Sequence, residues 1–195
     1  MDKLTNIIGF IGKSGSGKSY LANVAGEISG LPVIEHKQIV REIVEMPVVR
    51  QIVDFKRKHS DARGEGEKVL DFVGDNDFML PVQFFFMARI LNFKLKRNLD
   101  PEKPAIIAFQ ALPLLPITKD FAERVRIYNP NENERLQRIA ERDGVPFETV
   151  LNKTKRYEKL LNFDGIKYDR QFPNTGEGLP TGFVEYAESL RQICQ

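Results

Sequence analysis

Cysteine is nearly absent from this chain of 195 residues: Cys194, next to the C-terminal residue, is the only one. A lone thiol cannot close an internal disulfide, and with two histidines in all the chain is poorly supplied for a structural metal cluster. Net charge is scarce too. Lys and Arg number 29 against 27 Asp and Glu, leaving +2, which is too little to draw the surface as a whole toward nucleic acid or a membrane. Long apolar runs are also missing. Nothing approaches the roughly 18 consecutive apolar residues of a membrane helix, and the N-terminus lacks a basic segment followed by an apolar signal core. These absences lead to the expectation of a protein in a reducing compartment, the cytoplasm, with no nucleic-acid or membrane partner. There is no internal repeat or low-complexity tract, and the length suits one domain with a full core better than two.

What is present is concentrated near the start. Gly12, Lys13, Ser14, Gly15, Ser16, Gly17, Lys18 and Ser19 match the pattern G-x-x-x-x-G-K-[ST] without a break, directly after the apolar run Ile7-Ile8-Gly9-Phe10-Ile11. A triphosphate needs many hydrogen-bond donors and some positive charge held close together. The glycines let the backbone curl so that its N–H groups point inward, and Lys18 can then reach the β- and γ-phosphates. Ser19 offers a hydroxyl to Mg²⁺. The helical periodicity of Tyr20-Leu21-Ala22-Asn23-Val24-Ala25 places a helix behind the loop, its positive dipole end toward the anion. Mg²⁺ and ATP are the expected ligands.

The rest of the chain alternates between strand and helix signals. Strands are expected at Asn6–Ile11, Leu31–Ile34, Pro104–Phe109, Val125–Tyr128 and Ile166–Phe172, and the first helix at Lys18–Ser29, ended by Gly30. Thr118–Glu123 reads as a short helix. Helices follow at Asn133–Arg142, from Pro146 to Leu161, and at Phe183–Ile193, with another across the apolar stretch Leu80–Leu95. The pattern predicts an α/β protein, a three-layer P-loop fold with a mainly parallel central sheet.

The segment Val125-Arg126-Ile127-Tyr128-Asn129-Pro130, followed by Glu134-Arg135-Leu136-Gln137-Arg138-Ile139-Ala140-Glu141-Arg142-Asp143-Gly144, resembles the strand and arginine-bearing helix of the dephospho-coenzyme A kinases. Leu31-Pro32-Val33-Ile34-Glu35, Leu112-Pro113-Leu114-Leu115 and Asn174-Thr175-Gly176 are similar to further segments of that family, in the same order. The resemblance implies a P-loop nucleotide kinase fold with a helical lid at about 133–162 and an acceptor-binding helical region at about 48–95, and ATP-dependent phosphoryl transfer to a small nucleotide-like acceptor, with dephospho-coenzyme A the first candidate. It also implies that Glu35 positions or deprotonates the acceptor hydroxyl and that Asn174, Thr175 and Gly176 border the adenine. Arg135, Arg138 and Arg142 recur at i, i+3 and i+7, so they share a helical face and can converge on phosphate oxygens. Arg138 and Arg142 are the expected stabilisers of the transferring group, with Arg135 in support.

Two departures stand beside that likeness. The family's Asp-x-Asp after the second strand is replaced by Glu35-His36-Lys37, and its aspartate before the Pro-Leu-Leu segment by Phe109-Gln110-Ala111. Gln110 can hold a metal-bound water but cannot neutralise the metal. A nucleoside or nucleoside-monophosphate kinase, or a nucleotide-binding regulatory protein without transfer activity, therefore remain as alternatives. Among other polar candidates, His36 can serve as base or phosphate ligand, His59 reads as solvated, Asp77 as a helix cap beside Asp75, and Arg89 as a charge that needs a partner if buried.

Overall fold

The computed structural model describes residues 4–35, 89, 92–93, 103–110, 112–161 and 163–194. Five strands, β1 (Leu4–Ile11), β2 (Val33–Glu35), β3 (Ala105–Ala108), β4 (Phe121–Tyr128) and β5 (Arg170–Pro173), form one sheet in the order β2-β3-β1-β4-β5. Every pairing is parallel. The described helices are α1 (Lys18–Ser29), α2 (Glu132–Asp143), α3 (Phe147–Leu161) and α4 (Phe183–Ser189). From β1 the chain goes to the β2–β3 side of the sheet and later crosses to β4 on the other side. The C-terminal end of β1 is thus the point where the strand order reverses, and a crevice opens there in sheets of this kind.

Parallel strands are buried on both faces, so they carry continuous apolar runs. All four residues of β3 are buried, and Ile7, Ile8, Phe10 and Ile11 of β1 are fully enclosed. One face of the sheet, with Ile8, Phe10, Ile106, Ala108, Val125 and Ile127, packs on Leu21, Ala22 and Ala25 of α1 and on Phe183, Tyr186 and Ala187 of α4. Phe183 meets the edges of Phe10 and Phe172, at centroid distances of 6.3 and 5.1 Å. Such edge-to-face contacts add to the area buried. The core therefore ties α4, near the end of the chain, to the strand that launches the loop.

The first helix occupies its expected residues, and Gly30 closes it with φ 81° while its N–H bonds back to the Gly26 carbonyl. Residues 118–123 are a correction. A 3₁₀ turn covers Pro116–Asp120, and Phe121 already belongs to β4. Phe121 pairs with Leu4, and its ring lies against Gly9, 2.7 Å from where a Cβ would stand. A long-range contact thus takes over the end of a segment that reads locally as helix. The late strand is shorter than expected, at Arg170–Pro173, and the last helix gives way to a 3₁₀ turn at Leu190–Cys194. Arg89 is helical and exposed. His36, Lys37, His59, Asp75, Asp77, Ala111 and most of residues 48–95 lie outside the described residues.

Replacing Phe183 by Ala removes a fully buried ring from this junction. We expect Phe183→Ala to lose about 3–5 kcal/mol of unfolding free energy, read as a lower urea midpoint at unchanged slope.

Candidate active site

The loop 12–17 leaves β1 at Gly12 and enters α1 at Gly17. Gly17 adopts φ 81° and gives the helix no side-chain cap, and the first turn of α1 holds no acidic residue. The leading N–H groups of α1 are therefore left for a ligand, at the positive end of the helix dipole. Gly15 also has positive φ, 74°, and a Cβ there would stand 2.8 Å from Ile139 of α2. The first lid helix thus rests directly on the loop.

Above the loop lies a cavity of about 400 Å³, lined by Ser14, Gly15, Gly17, Lys18, Ser19 and Tyr20 from the loop and α1, Arg138, Ile139 and Arg142 from α2, and Asn174, Gly176 and Gly178 from the segment after β5. Three cationic residues and, among the described residues, no carboxylate appear in this wall. Lys18 Nζ contacts the Lys13 carbonyl at 3.4 Å. Desolvation, then the charges of Arg142 and Arg135, lower the Lys18 pKa from 10.5 to about 8.

The lid helix α2 is well started. Asn131 caps it by accepting from the Glu134 N–H at 3.3 Å while its own amide reaches Glu134 Oε1 at 2.8 Å. Its three arginines differ in role. Arg135 is 1% exposed: Nη1 donates to the Ser14 carbonyl at 2.6 Å, Nε to Glu132 Oε2 at 2.9 Å, and Nη2 to Glu158 Oε1 at 2.7 Å and to Glu132 Oε1. Lys13 joins the same cluster, 2.7 Å from Glu158 Oε2 and 3.5 Å from Glu132 Oε1. Hydrogen bonds from Arg135 hold the Glu132 carboxyl below its usual range. Arg138 donates to the Thr175 carbonyl and lies over Gly176, while Glu134 stands 3.7 Å away. Arg142, 61% exposed, is bonded by Nε and Nη2 to Asp143 at 2.6 and 2.9 Å.

Asn174 is buried beside the loop. Its Nδ2 donates to the Ser16 carbonyl at 3.0 Å, its Oδ1 accepts from the Gly176 N–H at 3.1 Å, and its backbone N–H bonds the Tyr128 carbonyl at 2.7 Å. Glu35 ends β2 level with Ala108, and Asn23 Nδ2 donates to its Oε1 at 2.6 Å. Asn23 lies one helical turn beyond Ser19, so it draws the Glu35 carboxylate to the face of α1 that carries Ser19.

No family model matches the chain, and no curated protein matches it. Solved structures do. TT1252 from Thermus thermophilus superposes with a TM-score of 0.57 at 20% identity, over 96% of this chain and 95% of that one. Dephospho-CoA kinase from Campylobacter jejuni gives 0.52 at 20% identity, over 97% and 93% of the two chains. Shikimate kinase from Acinetobacter baumannii gives 0.52 at 14% identity, over 97% and 92%. The fold is that of the P-loop kinases. At these identities the likeness is one of fold.

Within this P-loop kinase fold, Ser14, Gly15, Gly17, Lys18, Ser19, Arg138, Arg142, Asn174 and Gly176 of the expected site residues line one cavity, whereas Glu35 and Thr175 do not stand in its wall. Arg135 and Lys13 are turned away from it, since both side chains are engaged by Glu132 and Glu158. Ser16 is fully buried within the loop, and Gly12 is buried at its start. Tyr20, Asn23, Ile139 and Gly178 were not singled out from the sequence. Only Tyr20 and Asn23, which follow the motif on α1, had a local signal. Among the described residues no three of His, Cys, Asp or Glu cluster, and no helix is long and apolar enough to cross a membrane.

The lowered Lys18 pKa has a measurable consequence. The unfolded chain holds this proton up to about pH 10.5 and the folded chain only to about 8. Lys18 therefore costs stability in full below pH 8, and the cost fades as pH rises from 8 to 10.5. Lys18→Met is expected to raise the Tm of the ligand-free protein at pH 7, with the gain over wild type shrinking toward pH 10.

Proposed function

We propose that the protein is an ATP-dependent small-molecule kinase whose acceptor is nucleotide-like, with dephospho-coenzyme A the leading candidate. The observation that carries this reading is the cationic cavity on the loop 12–19, walled by Lys18, Arg138 and Arg142 and, among the described residues, free of carboxylates. A triphosphate supplies the charge that such a wall lacks. Backbone N–H groups of the loop and the start of α1 hold the phosphates, Lys18 offsets charge on the β- and γ-phosphates, and Asn174, Thr175 and Gly176 border the base.

Magnesium keeps several waters and takes phosphate oxygens with one or two protein groups, and the Ser19 hydroxyl and Glu35 carboxylate are oxygen donors of that kind. Ser19 would hold it, with Glu35 brought to the same face of α1 by Asn23. When bound, the cation neutralises charge on the phosphate oxygens. The acceptor hydroxyl oxygen attacks the γ-phosphorus, the bond to the β–γ bridging oxygen breaks, and ADP departs with that electron pair. Glu35 orients the hydroxyl and takes its proton. Arg142, exposed at the rim, turns from Asp143 to the transferring phosphoryl, and Arg138 supports it from the 174–176 side.

Gln110, in place of the aspartate that the family resemblance implies, favours a second reading: a nucleotide-binding protein without transfer activity. ATP consumption against a panel of dephospho-coenzyme A, nucleosides and nucleoside monophosphates separates the two. Transfer to a panel member is expected, falling at least 100-fold in Lys18→Met and Glu35→Gln. In Arg142→Ala and Arg138→Ala, turnover is expected to fall much more than ATP affinity. Tight Mg-ATP binding with no transfer to any member would favour the second reading.

A further inference from the structure

Arg135 and Asn174 both fit the expectation of nucleotide ligands by position, yet each spends its side chain on the outside of the phosphate loop. Arg135 Nη1 takes the Ser14 carbonyl at 2.6 Å, and Asn174 Nδ2 takes the Ser16 carbonyl at 3.0 Å. A peptide unit is planar and trans, so its C=O and the next residue's N–H point in opposite directions. When the Ser14 carbonyl is drawn outward to Arg135, the Gly15 N–H is turned inward. The same holds for Ser16 and Gly17. Gly15 and Gly17 line the cavity, both with positive φ.

We propose that Arg135 and Asn174 are positioning residues that preset the phosphate cage, each holding one carbonyl from outside so that the Gly15 and Gly17 N–H groups aim at the bound phosphate. The inference rests on the phosphate-donor reading of the cavity and gives these two residues an indirect role in it. Both clamps are themselves fixed. Glu132 and Glu158 hold the Arg135 guanidinium from the far side, and Glu158, 15% exposed, uses its other oxygen to bind Lys13 of the loop. Two cations face two carboxylates, so the cluster adds no net charge to the phosphate field. Asn174 is held by its backbone bond to Tyr128 and by accepting from the Gly176 N–H. A Cβ on Gly17 would lie 1.9 Å from Asn174 Nδ2, so the two residues are in direct contact. A loop fixed in this way meets its anion without reorganising, which favours affinity.

The test uses the full-length protein, inorganic tripolyphosphate with Mg²⁺ as the probe, and two readouts: calorimetric affinity and the backbone amide resonances of Gly15 and Gly17. In the wild type, the probe is expected to bind and to move both glycine N–H signals downfield. Arg135→Lys keeps the cluster's charge but cannot reach the Ser14 carbonyl and both carboxylates together. It is expected to weaken binding about tenfold or more and to shift Gly15 before any ligand is added. Asn174→Ala is expected to do the same through Gly17. Probe binding to the wild type that leaves both glycine signals unmoved overturns the proposal even if neither variant folds. Folded variants that bind as tightly as wild type, with both resonances in place, also overturn it while leaving the phosphate site intact. No binding to the wild type removes the phosphate reading and this proposal together.

Discussion

A loop that turns its N–H groups toward one point must turn carbonyls away from it, and each outward carbonyl in a partly buried place needs a donor. In this protein the donors come from 121 and 158 residues along the chain, from α2 and from the turn after β5. Much of the architecture serves that requirement. The edge-to-face contacts of Phe183 with Phe10 and Phe172 join α4 and β5 to β1. β4 carries its chain to the same edge, where the Asn131 cap starts α2 against the loop. The short segment 12–17 looks self-sufficient as a motif, but its shape is held by the second half of the chain.

Charge is arranged in two layers around it. Beside the loop, Lys13 and Arg135 are matched by Glu132 and Glu158. Lys18, Arg138 and Arg142 face the cavity, and burial, then the charges of Arg142 and Arg135, make Lys18 lose its proton more readily. Keeping Lys18 charged therefore costs folding stability below about pH 8. Asp143 and Glu134 keep the two outer arginines occupied at their exposed ends.

The sequence was most legible where structure is local. The motif, the span of α1, the glycine that ends it and the apolar run of β3 all follow from neighbouring residues. Legibility failed where a distant contact decides. The start of β4 depends on pairing with Leu4 and on the ring of Phe121 against Gly9, neither visible within residues 118–123. The spacing of Arg135, Arg138 and Arg142 shows that they share a helix face, but the partner of each depends on how α2 sits on the loop. Glu158 draws Arg135 away from the cavity, and which arginine it takes depends on how α3 packs beside α2. The strand order is also invisible locally, although it places Glu35 two strands from the loop and within reach of α1.

On the phosphate-donor reading, a nucleoside triphosphate places its phosphates in the cage at residues 12–19, under the arginine helix. A crystal structure of the full-length protein with Mg²⁺ and a non-hydrolysable ATP analogue decides this. The β- and γ-phosphates are expected within hydrogen-bonding distance of the Gly15 and Gly17 N–H groups and of Lys18 Nζ, with Arg142 released from Asp143 toward the γ-phosphate. An analogue bound elsewhere, or with its phosphates turned away from the loop, overturns that reading.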